Sequence, residues 1–480
     1  MDVSLLLIIL LFGAAATYFV GNEWASKAAL FFSTAALAAT IFIVYRYSSG
    51  EQVNYMHGWI KMPRVTLLFI GDGISLSMAL LTTALTPLII LATFKNTLAN
   101  PRAFYSLILF MAFAMVGTFL SGDGLVYYIF WELALIPIYF IALLWGGGDA
   151  ESRKKAVVKF FIYTFAGSLF MLAAFIYMYQ KTSTFNIAFL YNIQLSPVEQ
   201  FWIFMGFFLA YAIKIPLIPF HTWQANVYQK APTAGTMLLS GIMLKMALYS
   251  IVRWQLPIAP QPAEDYMYIL IGLCIAGVIY GSILALKQND LKKLLAYSSL
   301  AHVGLIAAGL YTLTLDGFRG GFLQMMAHGF VVVGLFYAAE IIARRFNTTE
   351  ISEMGGIRSQ SPKFTSMFMI LVLASVALPG TFNFVGEFEV LYSLAQTHIW
   401  LAVIGGLTII LGAFYMLRMF QQVMLGEQNT RIFADVTFGE GFVFVAIIAV
   451  LLFFGLYPKP IVDFITPELQ EILTHVNRFN

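Results

Sequence analysis

Apolar residues in this chain arrive in blocks of about 20, the length a helix needs to cross a bilayer, separated by short polar breaks. Of the 480 residues, 60% are apolar and 11% are charged. A soluble chain carries about 25% charge and distributes its apolar residues over alternating faces. Lipid must therefore be the solvent for most of this chain. That excludes a soluble enzyme, a nucleic-acid binder and a secreted disulfide scaffold. Lys+Arg 27 against Asp+Glu 24 is too balanced to call for a polyanionic partner. The single cysteine, Cys274, lies inside an apolar run. One thiol holds neither an iron–sulfur cluster nor a structural zinc, and it reads as a packing residue.

The hydropathy predicts an all-α polytopic membrane protein with about fourteen transmembrane segments. They fall near 3–20, 27–45, 73–94, 103–120, 125–144, 157–179, 199–220, 233–252, 267–286, 294–312, 320–343, 364–396, 400–417 and 440–457. The first block lacks a basic leader, with Asp2 in its place, and reads as a membrane helix rather than a cleaved signal. No Arg-rich transit segment is visible, which fits a bacterial origin. The stretches 46–66, 181–198 and 344–363 read as polar loops. Prolines interrupt the seventh segment, at Lys214-Ile215-Pro216 to Pro219, and the twelfth, at Leu378-Pro379-Gly380-Thr381. Two broken helices five segments apart suggest inverted five-helix repeats, segments 4–8 and 9–13. The chain is then a single membrane domain. Residues 1–100 carry three N-terminal helices, 101–254 the first repeat, 265–426 the second, and 427–480 the last helix and tail. Of the 27 Lys and Arg, 17 fall on the side of the first loop and 8 on the other, with Lys214 and Lys245 inside segments. The positive-inside rule makes the first-loop side cytoplasmic and both termini periplasmic.

A charge at the bilayer centre costs about 2.5–3.5 kcal/mol on insertion scales, so the charges inside the blocks are the informative residues. Glu132 sits on the fifth segment, Lys214 just before the break in the seventh, Lys245 midway along the eighth, and Glu387 after the break in the twelfth. Glu132 and Lys214 have opposite charge at similar depth. They read either as a static ion pair or as a pair whose separation releases a proton from the lysine. Lys245 has no acidic partner in its own sequence neighbourhood, which suits a proton relay better than a lysine reaching for the interface. Glu389 reads as peripheral. His221, His302 and His328 lie in or near segments, and each is either a relay or a satisfied core group. They make no metal motif. Gly146-Gly147-Gly148-Asp149 is a loop, since no strand precedes it and no Gly-Lys-Ser/Thr follows.

Seven motifs in order carry a resemblance: Gly71-Asp72-Gly73-Ile74-Ser75, FWELALIPIYF (130–140), AYAIKIPLIPFHTW (210–223), APTAGTMLLSGIMLKMALYS (231–250), DLKKLLAYSSLAHVG (290–304), QMMAHGF (324–330) and ALPGTFNFVGEF (377–388). Over about residues 65–430 the chain resembles the antiporter-like membrane subunits of proton-pumping NADH:quinone oxidoreductase (complex I), a family shared with Mrp-type cation/proton antiporters. The resemblance implies proton translocation through Glu132, Lys214, Lys245 and Glu387, with His302 and His328 as relay positions. It implies no cofactor on this chain, with FMN and iron–sulfur clusters on other subunits. The implied partners are other membrane subunits, L- and N-like ones on either side, in a bacterial inner membrane. The L and N branches and the Mrp proteins usually carry lysine on the twelfth helix, whereas this chain carries Glu387, which resembles the glutamate-bearing branch. The sequence read here ends soon after the fourteenth segment, without the long lateral helix of the L branch. One stretch departs from the family: after His-Thr-Trp it usually reads Leu-Pro-Asp-Ala-His-Val-Glu, and here Gln224, Asn226, Tyr228 and Lys230 stand instead. Two other functions remain open, a cation/proton antiporter subunit and a non-conducting structural subunit.

Overall fold

The computed structural model describes residues 2–427 and 431–479. Eleven of its helices are long and apolar enough to cross a membrane. These are α2 (Asn22–Ser48), α3 (Gly73–Ala92), α4 (Pro101–Leu120), α5 (Gly124–Trp145), α6 (Ala150–Thr182), α8 (Thr233–Ile258), α9 (Met267–Leu286), α10 (Leu291–Leu310), α11 (Leu315–Phe346), α14 (Ile399–Leu425) and α15 (Phe438–Leu456). The other three expected segments are shorter or interrupted. They are α1 (Ser4–Phe19), α7 (Pro197–Lys214) with a short helix Gln224–Lys230 beyond its break, and α12 (Pro362–Ser375) followed by α13 (Phe382–Thr397). Each hydropathy block thus becomes helix, while the number of crossings rests on the sequence pattern.

Local sequence explains where these helices start and stop. Asp72 and Ser75 form a reciprocal capping box at the start of α3, and Asp123, Asp149 and Asp290 cap α5, α6 and α10. The twelfth segment breaks where expected. Pro379 supplies no N–H, and Gly380 adopts φ +90°, a left-handed conformation that favours glycine. The seventh segment ends at Lys214, followed by Pro216, Pro219 and a 3₁₀ turn at Phe220–Trp223.

Two compact units are formed. One comprises Met1–Ile215, Ile242–Met267 and Asp463–Asn480, the other Pro216–Gly241 and Tyr268–Val462. In the first, α1 packs on α2 and α4, and α6 on α7. In the second, α11 packs on α10, α13 and α15.

Two elements differ from the sequence reading. Within the stretch read as a polar loop, β1 (Tyr55–Ile60) and β2 (Val65–Phe69) form an antiparallel hairpin with Tyr55 opposite Phe69. Its alternation is weak, because four consecutive β1 residues are exposed. Backbone bonds from Ile70 to Leu120 (2.7 Å) and from Gly122 to Leu68 (2.8 Å) tie it down. The tail read after the last segment forms an amphipathic helix, α16 (Lys459–Val476), which buries Ile465, Leu469, Ile472 and Val476.

Arg253, one of the eight cations placed above on the side opposite the first loop, is 4% exposed and paired with Asp72 and with Glu468 of α16. Burial, and next the Asp72 carboxylate, push the Glu468 carboxyl up to about 7, against the opposing pull of Arg253. An acid raised in the docked state favours docking when protonated. That stability is lost as pH rises from the ordinary value near 4.5 through 7. Backbone amides of α16 should therefore exchange faster at pH 8 than at pH 5.5, after correction for intrinsic rates, and Glu468→Gln should remove the difference.

Candidate functional site

The titratable groups named from sequence fall into two sets, one in each unit. In the first, Glu132 lies on α5 and is half-buried. Lys214 is the last residue of α7 and 1% exposed. At that position its charge faces the negative end of the helix dipole. Its ammonium lies 3.7 Å from the centre of the Trp131 ring. No hydrogen-bond partner reaches Nζ among the described residues. The direct Glu132–Lys214 ion pair expected from sequence is therefore replaced by a cation–π contact to the residue preceding Glu132. Such a contact supplies about 2 kcal/mol when desolvated, while Glu132 still acts on the lysine through its field.

Hydroxyls continue from there. The Trp131 and Tyr211 rings lie 5.6 Å apart. Tyr127 OH is 3.4 Å from Tyr211 OH and donates to Ser250 Oγ at 2.7 Å. Ser250 lies on α8, as does Lys245, which is 0% exposed. Lys245 sits between two π-helical stretches, Leu239–Met243 and Ile251–Gln255. Such widened turns inside a helix recur at functional sites.

In the second unit, His302 Nδ1 of α10 lies 2.7 Å from Glu387 Oε1 of α13. Gln324 Nε2 of α11 donates to the same oxygen at 3.1 Å. The His302 and His328 rings are 5.9 Å apart. Gly386 makes this convergence possible: a Cβ there would stand 2.6 Å from the Gln324 nitrogen. Asn383, one turn before Glu387, is 1% exposed and directs both amide atoms into the interior without a partner among the described residues. Glu387 Oε2 and His302 Nε2 likewise have none. Buried polar atoms of this kind are normally met by ordered water. One turn before His302, Ser298 accepts from Tyr415 OH at 3.0 Å.

Of the remaining residues, His221 packs against Tyr280, ring centres 4.9 Å apart. Glu389 is peripheral, held by Arg319 at 2.8 Å. In the departing stretch, Gln229 donates to the α10 cap Asp290 at 2.9 Å. Tyr127, Tyr211, Ser250, Gln324 and Asn383 escaped the sequence reading. Three of the second unit's polar neighbours were nonetheless signalled, since Ser298–His302, Gln324–His328 and Asn383–Glu387 all stand at i,i+4 spacing on one helix face. Among the described residues no cluster of three His, Cys, Asp or Glu side chains could hold a metal.

Interrupted helices with buried lysines, a histidine–glutamate pair and hydroxyl neighbours define a polytopic membrane protein of the broken-helix class. The family described as NADH:quinone oxidoreductase/Mrp antiporter membrane segment matches residues 121–412. NADH-quinone oxidoreductase subunit M of Rickettsia typhi is 34% identical over 462 residues, covering 94% of this chain and 92% of that protein. A chain of respiratory complex I from Thermus thermophilus superposes with a TM-score of 0.91 at 27% identity, covering 98% and 99% of the two chains. A chain of the Mrp complex from Dietzia sp. shares the fold, with a TM-score of 0.84 at 20% identity over 98% and 97%. The chain belongs to the NADH:quinone oxidoreductase/Mrp antiporter membrane-subunit family.

Proposed function

We propose that this chain is the subunit M of a bacterial respiratory NADH:quinone oxidoreductase and that it translocates protons. Quinone reduction takes place elsewhere in the complex, where FMN and iron–sulfur clusters reside. Protons pass through the Glu132–Lys214–Lys245 set and the His302–His328–Glu387 set. The observation that carries this reading is the Lys214 environment. A desolvated ammonium held, among the described residues, by a ring face and the nearby Glu132 field gives up its proton readily when that carboxylate is moved or neutralised. L- and N-like subunits flank the chain, both termini face the periplasm, and the two broken helices belong to inverted repeats.

Two observations favour protons over metal cations. The charged groups inside the helices are titratable side chains, and the Glu387 carboxylate is bonded to a histidine and a glutamine, with no cluster of three His, Cys, Asp or Glu side chains among the described residues. Inside-acid pumping by inverted membrane vesicles fed NADH should proceed at the same rate in sodium-free and in sodium-containing buffer. A rate that collapses without sodium and recovers on its addition would move the chain to the antiporter reading.

A further inference from the structure

One cavity is lined by α6 and α7, and a second by the C-terminal end of α6 and residues 188–194. The first is apolar, about 430 Å³, and is lined by Phe170, Ala173, Gly206 and Leu209 among others. The second is more polar, about 600 Å³, and is lined by Lys181, Thr182, Asn192 and Gln194. Between them stands one polar cluster: Lys181 and Tyr177 both engage the Glu199 carboxylate. The floor of the apolar groove is stiff. A Cβ on Gly206 would lie 2.9 Å from the Phe170 carbonyl and 3.2 Å from the Ala174 methyl, so the two helices are already in close contact.

Length, position and charge together specify the occupant. From Glu199 to Leu209 is ten residues of helix, about 15 Å, half of a hydrocarbon core of about 30 Å and thus one leaflet. Trp202 (68% exposed) and Tyr177 (37%) mark the headgroup level at the groove's mouth. The cluster there offers one cation and one anion side by side, which suits a headgroup carrying both charges and gives an anionic lipid no net attraction.

We propose that the α6–α7 face binds a zwitterionic aminophospholipid, its phosphate on Lys181, its ammonium on Glu199 and one acyl chain in the groove. Phosphatidylethanolamine bearing a photoactivatable acyl chain, added to the purified whole complex, should label peptides from α6 and α7. Ala173→Trp fills the groove without touching the cluster, and Lys181→Met removes the phosphate partner. Each should cut labelling at least fivefold while blue-native gels show an assembled complex. Unlabelled phosphatidylethanolamine should compete, and phosphatidylglycerol should compete at least fivefold less well. The proposal is overturned by absence of labelling, which would place another subunit on this face, or by labelling that both variants leave unchanged. It is equally overturned if phosphatidylglycerol or a quinone analogue competes as well as phosphatidylethanolamine.

Discussion

Complex carrying Glu387→Gln is expected to assemble, to stop pumping protons, and to lose at least about tenfold in quinone reductase activity, a barrier increase of about 1.4 kcal/mol or more. Glutamine keeps the shape of the side chain. Its amide oxygen can still accept from His302 and from Gln324, which hold the carboxylate at 2.7 and 3.1 Å. Only the charge and the capacity to carry a proton are lost. Glu387→Asp should restore part of the activity, because a shorter carboxylate still titrates. Glu387→Ala is the poorer test: it strips His302 and Gln324 of a buried partner, at a cost of about 1–3 kcal/mol each, and mixes assembly with conduction. If Glu387→Gln pumps normally while Glu387→Ala fails to assemble, the residue is a structural hydrogen-bond acceptor.

Lys214 yields the second large effect, and here the choice of substitution separates the two roles. Lys214→Ala removes the ammonium over Trp131 and leaves the half-buried Glu132 carboxylate without the opposing charge. Activity should fall about tenfold or more, again about 1.4 kcal/mol. Lys214→Arg is the sharper variant. A guanidinium stacks on an aromatic face at least as well as an ammonium, yet it does not release its proton in proteins. A structural cation would be rescued by arginine, whereas a proton carrier would not. No rescue by arginine is expected.

Much of this arrangement was legible in the sequence because a bilayer punishes errors. A charge inside an apolar block is costly enough to be informative by position alone, so Glu132, Lys214, Lys245 and Glu387 could be singled out without coordinates. Proline and glycine chemistry located both helix breaks for the same reason, since unpaired backbone in lipid is expensive. What stayed hidden depends on how helices face one another. Lys214 lies over Trp131 rather than directly on Glu132, a choice made by side-chain packing and invisible to residue spacing. The Tyr127, Tyr211 and Ser250 hydroxyls look like ordinary packing residues until three helices converge. Arg253 looked like a loop cation because its partners, Asp72 and Glu468, lie 181 and 215 residues away. The hairpin and α16 are short of apolar residues in the amounts that hydropathy detects, and they hold by backbone pairing and a one-sided apolar stripe.

In the proposed mechanism protons leave and rejoin Lys214 as quinone is reduced elsewhere. It is tested most directly by the number of protons moved per NADH oxidised in vesicles carrying Lys214→Arg, with blue-native gels to establish an intact complex. The complex is expected to assemble and to lose both pumping and NADH-driven quinone reduction together, because a blocked proton step stalls the redox arm. Wild-type pumping at a wild-type rate of quinone reduction would contradict it and leave the buried charges as a scaffold.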